Sequence, residues 1–176
     1  ILYRLGAERF LFCVNAGNRK ACVDWLCAHA KGRSGVSVVD RSDEFALIAL
    51  QGPSARAVVA ALGSMDLPDL KRFSVLETEV AGHQVLAART GYTGEDGFEF
   101  FIDESEAEDF WEALLAAGEP EGLEPIGLGA RDTLRMEMGY PLYGHELSEG
   151  VSPLEAGLGF FVDMEKSFRG RGELGF

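Results

Sequence analysis

The sequence has little from which to build a metal centre. Its three cysteines, Cys13, Cys22 and Cys27, include no C-x-x-C pair, and its three histidines, His29, His83 and His145, are scattered without ligand spacing. The odd cysteine count, with Cys22 and Cys27 on one predicted helix, argues against a disulfide framework and for buried, reduced thiols in a reducing compartment. Lysine is scarce, at Lys20, Lys31, Lys71 and Lys166 alone, and 16 basic residues stand against 29 acidic ones, for a net charge of -13. That balance disfavours nucleic acid, whose phosphates need clustered Lys and Arg, and disfavours an anionic membrane surface. No apolar run is long enough to span a bilayer, no signal-like segment opens the chain, and no G-x-G-x-x-G follows a predicted strand. What remains is globular in composition: 176 residues, 47% hydrophobic and 26% charged, enough for one ordinary domain or two small ones.

The most informative stretch runs from Arg89 to Phe101, RTGYTGEDGFEFF. Gly91, Gly94 and Gly97 recur every third residue, which suits a backbone that turns tightly or lets a ligand approach closely. Residues 97–102 then read as a strand on which Glu99 points away from Phe98 and Phe100. An acid among three phenylalanines is costly if buried without partners, and makes sense if something carrying donor hydrogens docks against it. On residue chemistry alone, a solvated loop between two strands describes the stretch as well.

Around it the patterning predicts strands at 1–5, 9–15, 36–40 and 44–50, and a hairpin from 73–80 to 84–89 turning at Ala81-Gly82-His83. In the second strand Phe10, Phe12 and Val14 share one face and Leu11 and Cys13 the other, which predicts burial on both sides. Helices are predicted over 18–31, from Gly52-Pro53-Ser54 to Leu62, over 104–117 and over 127–138. The last has Leu128, Leu134 and Met138 as core positions and an Asp132–Arg135 pair across one turn. Residues 152–158 suggest a short helical turn and 160–162 a strand. The alternation reads as α+β, with antiparallel sheets and flanking helices, and not as a doubly wound parallel sheet.

GYTGEDGFE resembles the signature of the aminomethyltransferase of the glycine cleavage system, the T protein, and of its folate-binding relatives. GLGARDTLRMEMGYPLYGHEL, ending at Leu147, is similar to that family's second long signature. An LxxLQGPxA pattern (Leu47, Leu50, Gln51, Gly52, Pro53, Ala55), SPLEAGL and KSFRG extend the likeness along essentially the whole chain. The resemblance implies the family's folate-binding fold, with a ferredoxin-like subdomain at about 34–118 and parts of a neighbouring subdomain at 1–33 and 119–176. It implies that Tyr92 and Glu99 line a tetrahydrofolate pocket, that Arg131 contacts the folate and that Tyr140 flanks it. Tyr3 and Asn15 match positions bordering the same cavity. The chemistry is compatible, since a carboxylate can accept the pterin's amino and ring N–H donors, and a guanidinium suits its carbonyl or carboxylates. Each residue also has a plainer role: Arg131 in a surface ion pair, Asn15 as a cap, Tyr3 as a core aromatic.

The implied reaction passes a one-carbon unit from the aminomethyl-lipoyl arm of the H protein to tetrahydrofolate with release of ammonia. It is mainly positioning plus proton handling. No catalytic residue is expected in this chain, because the family's aspartate pair would fall just before Ile1. The family's C-terminal β domain would fall beyond Phe176. The chain therefore reads as an internal fragment, expected to transfer little or nothing alone. The family implies a monomer when intact, in the cytoplasm of a bacterium or the mitochondrial matrix of a eukaryote. Three other readings remain: the folate domain of a flavin-dependent dimethylglycine or sarcosine demethylase, a non-catalytic folate-binding module related to iron–sulfur cluster assembly factors, and a purely structural ferredoxin-like domain. The missing dinucleotide fingerprint counts against the first, and the distance in sequence of Cys13, Cys22 and Cys27 from the signature against the second.

Overall fold

The computed structural model describes residues 1–174 and is organised about strand β6 (Gly97–Asp103), buried on both faces from Gly97 to Ile102. It lies inside a four-stranded antiparallel sheet of order β3 (Phe45–Gln51), β6, β5 (His83–Ala88), β4 (Val75–Val80). A separate two-stranded ribbon pairs β1 (Leu2–Arg4) with β2 (Phe10–Phe12). Among the described residues four α-helices accompany the sheets: α1 (Arg19–Ala30), α2 (Ala55–Ala61), α3 (Ala107–Gly118) and α4 (Leu128–Glu137). The α+β class with antiparallel sheets and flanking helices holds. The stretch assigned to the ferredoxin-like unit is two-layered, with element order β-α-β-β-β-α and β6 between β3 and the β4–β5 hairpin.

Because side chains alternate along a strand, β6 serves two cores. Phe98, Phe100 and Ile102 face α2 and α3, where they meet Val58, Val59, Phe110 and Leu114 together with Leu50, Val85 and Ala87 of the sheet. Phe100 stacks on Phe98 at 6.2 Å and takes Phe110 edge-on at 5.2 Å, the geometries aromatic pairs prefer. Phe101 faces the other way. It joins Ala88 and Tyr3, with Leu5, Leu11 and Cys13 packed around them. Tyr3 meets Phe101 edge-on at 5.7 Å, so the β1–β2 ribbon covers the second face of the sheet. The β4–β5 turn uses Ala81 (φ 53°) and Gly82 (φ 84°), the doubly left-handed turn whose twist suits a two-residue hairpin.

Several expected features differ. Residues 36–40 form no strand: the β-branched run has no neighbour to pair with. In β2, Phe10 and Phe12 are half exposed while Leu11 turns inward, so this strand is buried on one face only. Trp25 of α1 lies exposed and stacks on His29, and of the cysteines expected to be buried Cys27 is exposed and Cys13 and Cys22 are only half-buried. In α4, Leu128 and Met138 are exposed, Leu134 is half-buried, and the fully buried residue is Arg135. Residues Gly159–Phe161 make a 3₁₀ turn closed by local bonds in place of a strand, leaving Phe160 and Phe161 exposed.

Candidate functional site

Glu99 is 8% exposed on the β1–β2 side of the sheet, opposite Ala88 on β5 and Ala49 on β3. Small neighbours on both flanking strands leave the carboxylate room. Thr90 Oγ1 donates to its Oε2, and the Tyr3 hydroxyl reaches the same oxygen at 3.3 Å. Among the described residues Oε1 has no hydrogen-bond partner. Burial pushes the Tyr3 phenol well above its ordinary range, so it remains a donor, partly offset by its hydrogen bond to Thr90.

The loop between β5 and β6 is framed from three directions. Gln51, at the end of β3, donates through Nε2 to the Thr90 carbonyl and to the Phe98 carbonyl, both at 3.1 Å. Its Oε1 is buried without a partner, against Gly91. A Cβ on Gly97 would lie 2.5 Å from the Leu50 carbonyl, and one on Gly94 (φ 82°) would meet the side chain of Met138 at 2.5 Å. The repeated glycines thus admit β3 and the end of α4, and only Gly94 of the three needs a left-handed backbone.

Arg89 closes the loop's base, with Nε 2.9 Å from Asp96 Oδ1, Nη2 2.5 Å from Oδ2, and Nη1 on the Leu70 carbonyl. That pair holds the Asp96 carboxyl below its ordinary value, chiefly through the guanidinium hydrogen bonds. A carboxylate lowered in the folded chain and ordinary in the unfolded one adds stability above about pH 4, and loses it as pH falls through the folded value. Arg89→Met is accordingly expected to cost about 2 to 3 kcal/mol at pH 7 and to flatten the acid decline of the melting temperature below about pH 4. Thermal melts from pH 7 downward check this; an acid limb as steep as the wild type's places the sensitivity in other carboxylates.

Tyr92, at the loop's crest, donates to the Pro141 carbonyl at 2.5 Å and stacks on Tyr140, with ring centroids 5.8 Å apart. The Arg131 guanidinium lies over the Tyr92 ring, 4.9 Å from its centroid. Among the described residues Arg131 forms no ion pair, in contrast to the surface pairing considered for it. The Asp132 carboxylate is taken instead by Arg135, whose guanidinium also bonds Glu146 at 2.7 Å and the Tyr140 carbonyl at 3.1 Å. Arg135 therefore fixes the residues 140–146 loop and leaves Arg131 free.

The loop between β5 and β6 links the two groups: Thr90 bonds Glu99, and, two residues on, Tyr92 lies under the Arg131 guanidinium. Burial raises the pKa of the half-buried Cys13 thiol, which packs beside Tyr3 and Phe101. Asn15, two residues beyond Cys13, is exposed, and its side chain neither caps the following turn nor makes any hydrogen bond among the described residues. Thr90, Gln51, Cys13 and Arg135 escape a reading of the sequence. Thr90 sits in the Arg89–Phe101 stretch and Gln51 in the LxxLQGPxA pattern, where each can be found; Arg135 is legible only as the partner of Asp132, and nothing marks Cys13. Two shallow hollows, about 410 Å³ beside Cys27, Lys31 and Arg33 and about 280 Å³ between Arg4 and Glu77, lie elsewhere.

Residues 1–166 match the family model described as the GCVT N-terminal domain. The chain belongs to that family. Among its relatives, the aminomethyltransferase of Streptomyces avermitilis is 50% identical over 166 residues, 94% of this chain and 44% of the relative. That of Geobacillus thermodenitrificans is 51% identical over 167 residues, covering 94% and 45%. The crystal structure of glycine cleavage system aminomethyltransferase T from Bartonella henselae superposes with a TM-score of 0.79 at 35% identity, covering 92% of this chain and 42% of that one. The chain spans less than half the length of the curated relatives it matches.

Proposed function

We propose that this chain supplies the folate-binding part of a glycine-cleavage aminomethyltransferase. In that reading Glu99, Arg131, Tyr92 and Tyr140 contact tetrahydrofolate, with Tyr3 and Asn15 at the edge of its site. The observation that carries it is a buried carboxylate with one oxygen unpartnered, bonded to Thr90 of the same loop on which Tyr92 lies under an unpaired guanidinium. A reduced pterin fits this donor set: its N–H groups need a fixed acceptor, and its carbonyl or carboxylates suit a free Arg. When bound, tetrahydrofolate supplies the nitrogens that accept the one-carbon unit. The residues here orient it and exclude water on the Tyr3–Phe101 side. The one-carbon donor is the aminomethyl-lipoyl arm of an H protein. The relatives' name favours this reading over a flavin-dependent demethylase.

Isothermal titration of the chain with tetrahydrofolate tests it. Binding is expected for the wild type, and Arg131→Ala is expected to weaken it by about five- to tenfold without lowering the melting temperature, since the guanidinium is exposed and its ring contact is worth only about 1 kcal/mol. No heat and no competition by folate in the wild type would defeat the reading.

A further inference from the structure

The hydrogen bonds around Glu99 have a direction. Thr90 has a single hydroxyl proton and it goes to Glu99 Oε2. The Tyr3 hydroxyl, likewise with one proton, then donates to Thr90 Oγ1 at 3.1 Å or to the same carboxylate oxygen at 3.3 Å. Every hydrogen bond that reaches the carboxylate among the described residues falls on Oε2. Thr90 is 6% exposed and cannot drift, because Gln51 bonds both its carbonyl and that of Phe98, the residue before Glu99.

We propose that Thr90 is a positioning residue for the acceptor. Its hydroxyl, backed by Tyr3, fixes the Glu99 carboxylate through Oε2 and so presents Oε1 to an incoming N–H donor. A carboxylate free to rotate would lose this preference, and ordering it would be charged against each binding event. Gln51 acts one step further back: it joins the loop that carries Thr90 to the strand that carries Glu99. The ligand half of this inference rests on the folate reading; the positioning half does not.

The test uses the whole chain in four forms: wild type, Thr90→Val, Thr90→Ser and Tyr3→Phe. Two quantities are read at neutral pH, the tetrahydrofolate dissociation constant and the ¹³C chemical shift of the ligand-free Glu99 carboxyl carbon, assigned with Glu99→Gln. Valine keeps the shape and removes the hydroxyl, so binding is expected to weaken about tenfold and the Glu99 signal to move. Serine keeps the hydroxyl and removes a methyl group. It is expected to restore both readings while melting below the wild type, a pattern a purely structural threonine does not give. Folded Thr90→Val with unchanged affinity and an unmoved signal overturns the proposal. If the valine variant does not fold, Tyr3→Phe decides: a moved signal supports the relay and an unmoved one overturns it. A wild type that ignores tetrahydrofolate, with a Glu99 signal that still moves in valine and returns in serine, ends the folate reading and leaves the positioning intact.

Discussion

Glu99→Gln is expected to weaken tetrahydrofolate binding by roughly 30- to 150-fold, the equivalent of about 2 to 3 kcal/mol for a charge-assisted hydrogen bond at a buried site. The size follows from the acceptor count. A carboxylate offers two oxygens, one already taken by Thr90 and Tyr3. An amide offers one oxygen and one NH₂ group. If the amide oxygen turns toward Thr90, the ligand's donor faces another donor; if it turns toward the ligand, Thr90 and Tyr3 lose their acceptor. Either orientation leaves a mismatch. The fold should be indifferent, because shape is conserved and a buried charge is removed, so the melting temperature is expected to stay or rise slightly. Titration calorimetry alongside a thermal melt separates the two quantities. Unchanged affinity in a folded Glu99→Gln chain would move the site away from this carboxylate.

Much of this was legible in the sequence, for a reason particular to β6. Its period-2 pattern places three apolar side chains, Phe98, Phe100 and Ile102, on one face and leaves Glu99 conspicuous on the other. The hairpin at Ala81-Gly82 and the helix carrying Phe110 and Leu114 were readable by the same local rules. What failed was decided by partners that a periodic pattern does not name. Residues 36–40 have strand propensity, but a strand needs a partner and none arrives. In α4 the spacing favoured Leu128 and Met138 as core. The buried position went to Arg135, whose charge is met by Asp132, Glu146 and a carbonyl 5 residues on. Site membership divided the same way. Tyr3 reaches Glu99 across 96 positions and Gln51 reaches Thr90 across 39, separations no periodicity encodes. Only the family resemblance places Tyr3 in the candidate set, and Gln51 enters only as a member of the LxxLQGPxA pattern.

The other large effect lies on the opposite face of the same strand. Phe100→Ala is expected to destabilise the chain by about 3 to 5 kcal/mol, because a fully buried ring is removed from a close-packed layer that can collapse only partly. The loss reaches beyond one contact: Phe98 and Phe110 both pack on that ring, and α3 is held to the sheet through Phe110. With total stabilities of about 5 to 15 kcal/mol for ordinary domains, such a loss brings the variant close to unfolding at ambient temperature. Urea denaturation followed by circular dichroism measures it directly. A cost below about 1 kcal/mol would mean that the helical layer contributes little to holding the sheet. Phe100→Leu refines the test, since it leaves a smaller cavity and a folded protein. Its tetrahydrofolate affinity is expected to match the wild type's, because Phe100 points at α2 and α3 while Glu99 points at the β1–β2 ribbon. In a Phe100→Leu, Glu99→Gln double variant the stability loss should then come from the first substitution and the affinity loss from the second, with little coupling between them. Strong coupling would mean that the helical core sets the position of the Glu99 carboxylate through the backbone of β6, and that Thr90 and Tyr3 are not sufficient to fix it.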